Sequence, residues 1–451
     1  MPDEARHGRR MLQALVVESL SDSPVAGAQT GRFGSAEWVV DHELRIRPTR
    51  SSGRARAAIA ILPFSANAGA GEDCRPSTTA DGLVYDVIRS LSRLRSIFVI
   101  AANSTKVLRN RGLEPRDAGR LLKVDYICSG RVSTVASDVR LDAELLTVAD
   151  GRVLWSDGWN FSAADATSAG GTIAGELTRA IATHIDLNER HLALRKQARE
   201  LDAWEAYHRG LWHMYRFTQA DNAAAQHLFG LSIRLDPSFS LPYAGLSFTH
   251  WMNAFMLAPG ARNDEAGLAF NAAAQGVATD PLDPAVQAAL GRALWINGSS
   301  EEALAALETS VRLSPNFAFG HYAMGFVQSF SGDPENGIAA IDHARALSPF
   351  DPFLCAMHGA RAAALLRLGR TEEAAAWGAR AARQPNAHAH IQRVGAICMA
   401  SAGKTDEARA LSRHISARSP DNGGEHFIRA WRLSRFDESL FRSLARRCDL
   451  D

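Results

Sequence analysis

LSPNFAFGHYAMGFVQSFSGDPENGIAAIDHARALSP, the stretch from Leu313 to Pro349, opens and closes on the same tripeptide, and that recurrence decides the fold. Equivalent proline-ended tripeptides stand at Leu235-Asp236-Pro237, Thr279-Asp280-Pro281, Leu313-Ser314-Pro315, Leu347-Ser348-Pro349, Arg383-Gln384-Pro385 and Arg418-Ser419-Pro420. Their prolines are 44, 34, 34, 36 and 35 residues apart. Gly291, Gly325, Gly359 and Gly395 each follow one of these prolines by ten residues. A small residue, Ala225, Ala303, Gly337, Ala374 or Ala408, precedes the next proline by about twelve. Three markers held in step at one period describe a stacked array of identical small units.

Each marker has a steric reason. A glycine on the first helix of a pair lets the second helix approach, and the small residue on that second helix completes the contact. Proline cannot continue the second helix and begins the next turn. Between the markers, Leu290, Leu294, Leu304, Leu307, Val311 and Leu313 keep helical spacing. The expected product is antiparallel helix pairs, each burying its apolar face only against a neighbour. This pattern resembles the tetratricopeptide repeat from about Trp204 to Pro420, in five to six units. The first two units are irregular, with an insertion around Phe255 to Asp264. Gly291, Gly325, Gly359, Gly395, Ala303, Ala374 and Ala408 are the expected packing residues.

In that family the first helices line a concave groove that holds a peptide or partner segment. Counting outward from the glycines places Ala288, Arg292, Trp295, Tyr322, Phe326, Ser329, Gln392 and Met399 on the groove. The members that clamp a terminal carboxylate use Lys and Asn at these positions. Here Ala288 or Tyr322 replaces the Lys and Arg292 or Phe326 the Asn, which argues against a receptor of chaperone tails. Two readings of the rings stand side by side. Trp295, Phe319, Tyr322, Phe326 and Phe330 pack between repeats as core, or several stay exposed as an apolar strip that marks a partner site. Arg292, Trp295, Tyr322, Phe326 and Met399 are the candidate partner-binding residues.

Ahead of the repeats the texture changes. Ala58-Ile59-Ala60-Ile61-Leu62 reads as a buried strand, and Asp81 to Arg95 as an amphipathic helix through Val84, Val87, Ile88, Leu91 and Leu94. Ile97 to Ala101 reads as a second strand, and Pro115 to Leu122 as a helix with proline in its first turn. Val139, Leu141, Ala143 and Leu145 alternate with charged residues as a half-exposed strand does. Asp150-Gly151 signals a hairpin into Val153-Leu154-Trp155, and Ala164 to Ile185 returns to helical texture. Ala58 to Phe64, Ala80 to Leu83, Phe98 to Ala101, Ser129 to Val132 and Leu154 to Ser156 resemble the TolB-like domain that precedes tetratricopeptide repeats in many bacterial signalling proteins. With the repeats, the resemblance covers about four-fifths of the chain. It implies an output domain ahead of this pair, a winged-helix DNA-binding domain or a class III nucleotide cyclase, and it supplies no catalytic residue. The expected organisation is therefore a remnant segment at 1–56, an α/β domain at 57–186, an all-α tetratricopeptide-repeat solenoid at 187–424 and a capping helix at 425–451.

Composition narrows the function. The 451 residues carry 50 Lys+Arg against 49 Asp+Glu, so the whole chain has no field that draws nucleic acid or anionic membrane. The longest apolar run, Ala57 to Phe64, falls far short of the ~20 residues that span a bilayer. No membrane partner is expected, and the chain is expected in the cytoplasm. Cys74, Cys128, Cys355, Cys398 and Cys448 are widely spaced, as reduced structural thiols are. Arg45, Arg47, Arg50, Arg54 and Arg56 form a basic stretch that suits either phosphates or a solvated linker. Met1 to Arg56 is short for a winged helix or a cyclase.

The sequence contains no GxSxG, GxxxxGK[ST] or HExxH motif. Gly69-Ala70-Gly71 lacks the third glycine of a phosphate cradle. His388 and His390 read as exposed loop residues, His208 and His213 as residues on diverging helix faces, and Asp142 with Glu144 as the wet side of a hairpin. The expectation is a protein without catalytic residues, metal or cofactor: an interaction scaffold of a bacterial signalling or transcription-regulatory pathway. The alternatives are a DNA-binding regulator with a truncated reader, and a fragment of an adenylate cyclase family protein without its catalytic domain.

Overall fold

The computed structural model describes residues 56–67, 75–106, 108, 113–135, 138–162, 166–257, 262–349, 351–418, 427–428 and 430–450. All of them fall in the unit Pro48–Asp451. Of the basic stretch only Arg56 is described; Gly69-Ala70-Gly71, Cys74 and Pro420 also lie outside the described residues.

The first part is a mixed sheet with helices. Its elements are β1 Ala57–Ile61, β2 Ser65–Asn67, α1 Arg75–Leu91, β3 Ile97–Val99, α2 Ala102–Lys106, α3 Pro115–Leu122, β4 Tyr126–Val135, β5 Asp138–Thr147, β6 Val153–Ser162 and α4 Ala166–Leu194. The sheet order is β3-β1-β4-β5-β6, with β2 also beside β4. The β1 pairs are parallel (Ala57 with Ile97, Ile59 with Tyr126), whereas β4, β5 and β6 form an antiparallel meander. Strand β1 is buried throughout because both its faces are covered, which is why it reads as an unbroken apolar run. Ile59 and Ile61 pack with Val87 and Leu91 of α1 and Leu177 and Ile181 of α4. Ala58 and Ala60 face the other way, against Val124, Ile127, Leu146 and Val148.

Pro115 opens α3 as the sequence indicates. Two strands go beyond the sequence reading: β2, and β4, which pairs with β1 on one side and β5 on the other. Helix α4 also runs on to Leu194, past both the expected helix end at Ile185 and the boundary drawn at 186.

The second part is a tetratricopeptide-repeat solenoid. Among the described residues its six helix pairs are α5 Ala203–Met214 with α6 Gln219–Leu235, α7 Leu241–Met252 with α8 Arg262–Thr279, α9 Pro284–Ile296 with α10 Ser300–Leu313, α11 Ala318–Ser331 with α12 Pro334–Leu347, α13 Leu354–Arg367 with α14 Thr371–Ala382, and α15 Ala389–Ser401 with α16 Thr405–Arg418. Helix α17, Arg435–Arg447, follows. Capping side chains fix the starts: Asp333 accepts from the backbone of Glu335 and Asn336, Asp283 from that of Ala285, and Asp202 with Glu205 forms a full capping box. Buried Ser232 and Ser310, each five residues before a marker proline, donate to the carbonyls of Ala203 and Pro284 and tie each second helix to the start of its first.

The marker glycines do two different things. A Cβ on Gly291 or Gly325 would collide with the second helix of the same pair, at Ala303 and Leu307 or at Ile341. Gly395 instead lies against Gly378 and Ala382 of the preceding pair, and Gly359 against Ile391 of the following one. The contact expected within every pair is thus shared out between neighbouring pairs where α14 carries its own glycine. Ala303, Ala374 and Ala408 are fully buried.

The two parts share a core. Trp204, Phe239 and Leu241 pack with the sheet-and-helix cluster. Glu189 of α4 accepts from the Tyr126 hydroxyl (2.5 Å) and from the Trp204 indole (2.7 Å), joining the central strand to the first repeat helix. Farther along, Arg95 meets Asp280 at 2.9 Å at a proline-marked turn, and Arg179 donates to the Ala346 carbonyl at 2.7 Å in the last turn of α12.

Candidate functional site in the solenoid interior

The superhelix closes on itself. Phe217, which follows the first repeat helix, lies 5.4 Å from the Phe353 ring before the fifth pair and 6.1 Å from His388 before the sixth. One turn of π-helix, Asn253–Leu257, ends α7 and turns Phe255 inward to Trp431 (4.9 Å) and His390 (5.3 Å). Phe427 and Trp431 fill the remaining space: Trp431 stands 4.0 Å from Phe330 and 5.7 Å from Phe326, and Phe427 stands 5.4 Å from His390.

The residues expected on an open groove are interior. Exposure is 2% for Arg292, 0% for Trp295, 2% for Tyr322, 3% for Phe326 and 7% for Met399, and Ala288 and Ser329 are buried too. Only Gln392 of that set keeps partial exposure. The exposed apolar strip is therefore not what the structure has; the rings are covered by the chain's own Phe255, Phe353 and Trp431. The reason is superhelical closure, which sets the first and second pairs against the last.

Arg292, Tyr322 and Phe326 come together at one cavity of about 20 Å³, also lined by Phe217, Trp251, Phe255, Phe353, His388 and Trp431. Trp295 is one layer away, 5.0 Å from Phe326, with its indole donating to Ser331 at 2.8 Å. Met399 and Gln392 do not line this cavity.

Arg292 dominates the electrostatics. Its guanidinium carbon sits 3.8 Å over the Trp251 ring, 4.9 Å from Phe326, 5.0 Å from Phe248 and 5.4 Å from Tyr322. Burial pulls its pKa below the ordinary arginine value, and only Tyr322, which lies beside it and hydrogen-bonds to it, acts in the other direction. Nε and Nη1 have no hydrogen-bond partner among the described residues. A desolvated cation over an aromatic face gains ~2 kcal/mol or more. An ion buried without a counter-charge costs several kcal/mol.

Sequence reasoning missed Phe217, Phe248, Trp251, Phe353 and Trp431. Local signals pointed to two of them: Trp251 with Phe255, and Trp431 with Phe427, are each four apart, the spacing that puts two rings on one helix face.

The remaining candidates lie elsewhere in the fold. His388 and His390 are turned into the interior rather than exposed on a loop, their rings 6.1 Å apart; burial pushes His388 down to about 4. His208 lies against Trp204 (4.3 Å) and is pushed down to about 3 by burial, whereas His213 pairs with Asp221 at 2.9 Å. Asp142 and Glu144 open onto a polar cleft of about 700 Å³ over the uncovered sheet face, together with Arg131, Arg140 and Asp157. Each is already engaged: Arg140 holds Asp142 through two 3.0 Å bonds, and Ser129 donates to Glu144 at 2.9 Å. Among the described residues no three His, Cys, Asp or Glu side chains are grouped to hold a metal, and no helix is long and apolar enough to cross a membrane.

No family model matches the chain. A curated relative, putative adenylate cyclase 3 of Rhizobium meliloti (strain 1021), is 26% identical over 248 residues, 55% of this chain and 42% of that protein; the chain spans well under half of that relative's length. Among solved structures, a thermophilic tetratricopeptide-repeat protein of Thermus thermophilus is 20% identical, covering 48% of this chain and 98% of its own, with a TM-score of 0.34. The APC/C hetero-tetramer Cut9-Hcn1 is 14% identical over 63% of this chain and 49% of that one, with a TM-score of 0.41. TolB of Acinetobacter baumannii is 16% identical over 30% of this chain and 29% of that one, with a TM-score of 0.21.

Proposed function

We propose that this chain is a non-enzymatic protein–protein interaction scaffold of a cytoplasmic bacterial signalling or transcription-regulatory pathway. Its repeats receive an aromatic-anchored segment of a protein partner in the interior built from Arg292, Trp295, Tyr322, Phe326 and Met399. One observation carries this reading: the interior already holds such a segment in cis. Phe427 and Trp431, four residues apart, anchor their segment against Phe330, Phe326 and His390, the way an amphipathic helix seats its anchors in a groove. The Ser331 hydroxyl donates to the Arg432 carbonyl at 3.0 Å and finishes the seat. A partner segment with two aromatic residues at the same spacing competes for it. The TolB-like α/β part, joined through Glu189, transmits occupancy to an output domain or senses a ligand.

The test uses Trp431→Ala and a synthetic peptide of residues 424–436. Anisotropy of the labelled peptide rises with the folded variant and stays flat with the unaltered chain. No binding to a variant of native helical content defeats the reading.

A second reading is favoured by the curated relative: the chain corresponds to the non-catalytic part of an adenylate cyclase family protein, and its partner is a cyclase domain. The coding sequence upstream of Met1 decides it, through the presence or absence of an in-frame cyclase domain.

A further inference from the structure

We propose that the cavity beside Arg292 is an anion site that takes one chloride ion. The proposal does not depend on the partner reading, because it concerns how the interior is neutralised and not what displaces the segment of Phe427 and Trp431.

The lining supplies donors and almost no acceptors. Nε and Nη1 of Arg292 are buried without a partner among the described residues, and so are the indole nitrogens of Trp251 and Trp431, which line the same cavity. No carboxylate lines it. The Tyr322 hydroxyl is engaged by Arg292, which leaves His388 Nδ1 as the remaining nitrogen acceptor. Asp351, the buried acid whose charge reaches Tyr322, is not among the groups acting on Arg292 and accepts instead from the backbone of Phe353 at 2.8 Å. Unpartnered donors and a buried cation lining one cavity with no carboxylate favour an anion over a neutral acceptor such as water.

Size chooses the anion. A cavity of about 20 Å³ has room for one body the size of a water molecule. Monatomic chloride, somewhat larger than water, comes close to that limit, whereas the five-atom sulfate and phosphate far exceed it. The rings leave the ion little other solvation, so it stays on the guanidinium.

The experiment melts the full chain at constant ionic strength with gluconate as the sole anion, then with chloride, bromide or sulfate replacing it. The expected result is a higher Tm in chloride and bromide than in gluconate or sulfate. Arg292→Met abolishes the difference. A crystal soaked in bromide shows an anomalous peak beside Arg292, a readout that stands even where the variant does not fold. Equal melting in chloride and gluconate with no anomalous peak overturns the proposal. So does a chloride response that Arg292→Met retains in full, which marks surface binding.

Discussion

Gly325 and Gly359 occupy the same place in the 34-residue period, yet the structure separates them. An alanine Cβ at Gly325 would lie 2.8 Å from Ile341 Cγ1 and 2.9 Å from the Ile341 backbone nitrogen. Carbon contacts settle near roughly 3.5–4.0 Å, so α11 and α12 must part by roughly 0.6–1.2 Å. Overpacking of that kind costs about 1–3 kcal/mol, against a gain of ~0.8–1.0 kcal/mol from replacing a helical glycine by alanine. At Gly359 the nearest atoms are Ile391 Cδ1 at 3.2 Å and Cγ2 at 3.6 Å, the end of a side chain that can turn. There the helical gain survives. Gly325→Ala is expected to lose up to about 2 kcal/mol and Gly359→Ala to gain up to about 1 kcal/mol, with Gly325→Leu losing more than either. Urea midpoints followed by far-UV circular dichroism read the difference, and hydrogen exchange places the loss in α11 and α12. Gly325→Ala as stable as Gly359→Ala refutes the reasoning, because the period alone then explains both glycines.

Other expectations follow from single environments. His208, buried against Trp204 and Tyr207, has its pKa pushed from 6.5 to about 3, so the unfolded chain binds a proton that the folded chain does not. Stability is full above pH 6.5 and falls by about 1.4 kcal/mol per pH unit on acidification until pH nears 3; His208→Gln flattens that part of a urea-midpoint profile between about pH 7 and 5. Glu189→Ala strands the Trp204 indole and removes the acceptor of Tyr126, at a cost of roughly 3 kcal/mol or more because both bonds go to a charged group. Glu189→Gln costs less in the same thermal melt. Phe326→Ala takes away a ring between Trp295, Phe330 and Trp431 and is expected to cost ~3–5 kcal/mol. Near-UV circular dichroism that is unchanged in that variant contradicts its placement in the core.

The repeat part was legible because its signals are local. Proline cannot continue a helix beyond its first turn, and 3.6-residue periodicity survives any arrangement of neighbours. The α/β part was half legible. Pro115 and the alternation from Val139 to Leu145 announce α3 and β5 without help. Strand β4 was harder: Ser129, Gly130 and Arg131 give its middle a polar texture, while Ile127 and Cys128 owe their burial to partners at Ala60 and Ile61, far back in the chain, and at Leu145 and Leu146 across the meander. The first of those pairings is non-local and leaves no period of its own.

The interior is where sequence reasoning divided, and the physics of the division is specific. Whether Tyr322 and Phe326 are surface or core depends on the rotation between successive pairs, summed over six of them, and no single repeat encodes that sum. What does bear on it is ring density outside the repeat register. Phe217, Phe255, Phe353 and Trp431 all sit in turns, in the π-helical turn or in the segment before α17. Large rings at such positions are costly to leave in water, and they converge on the same place only if the solenoid is tightly closed. Arg292 then acquires its meaning from closure too. On an open groove it would be an ordinary solvated cation; inside a ring of aromatics it needs a negative partner from solution, which is why its neutral replacement and the chloride dependence of melting test the closed superhelix and the anion together.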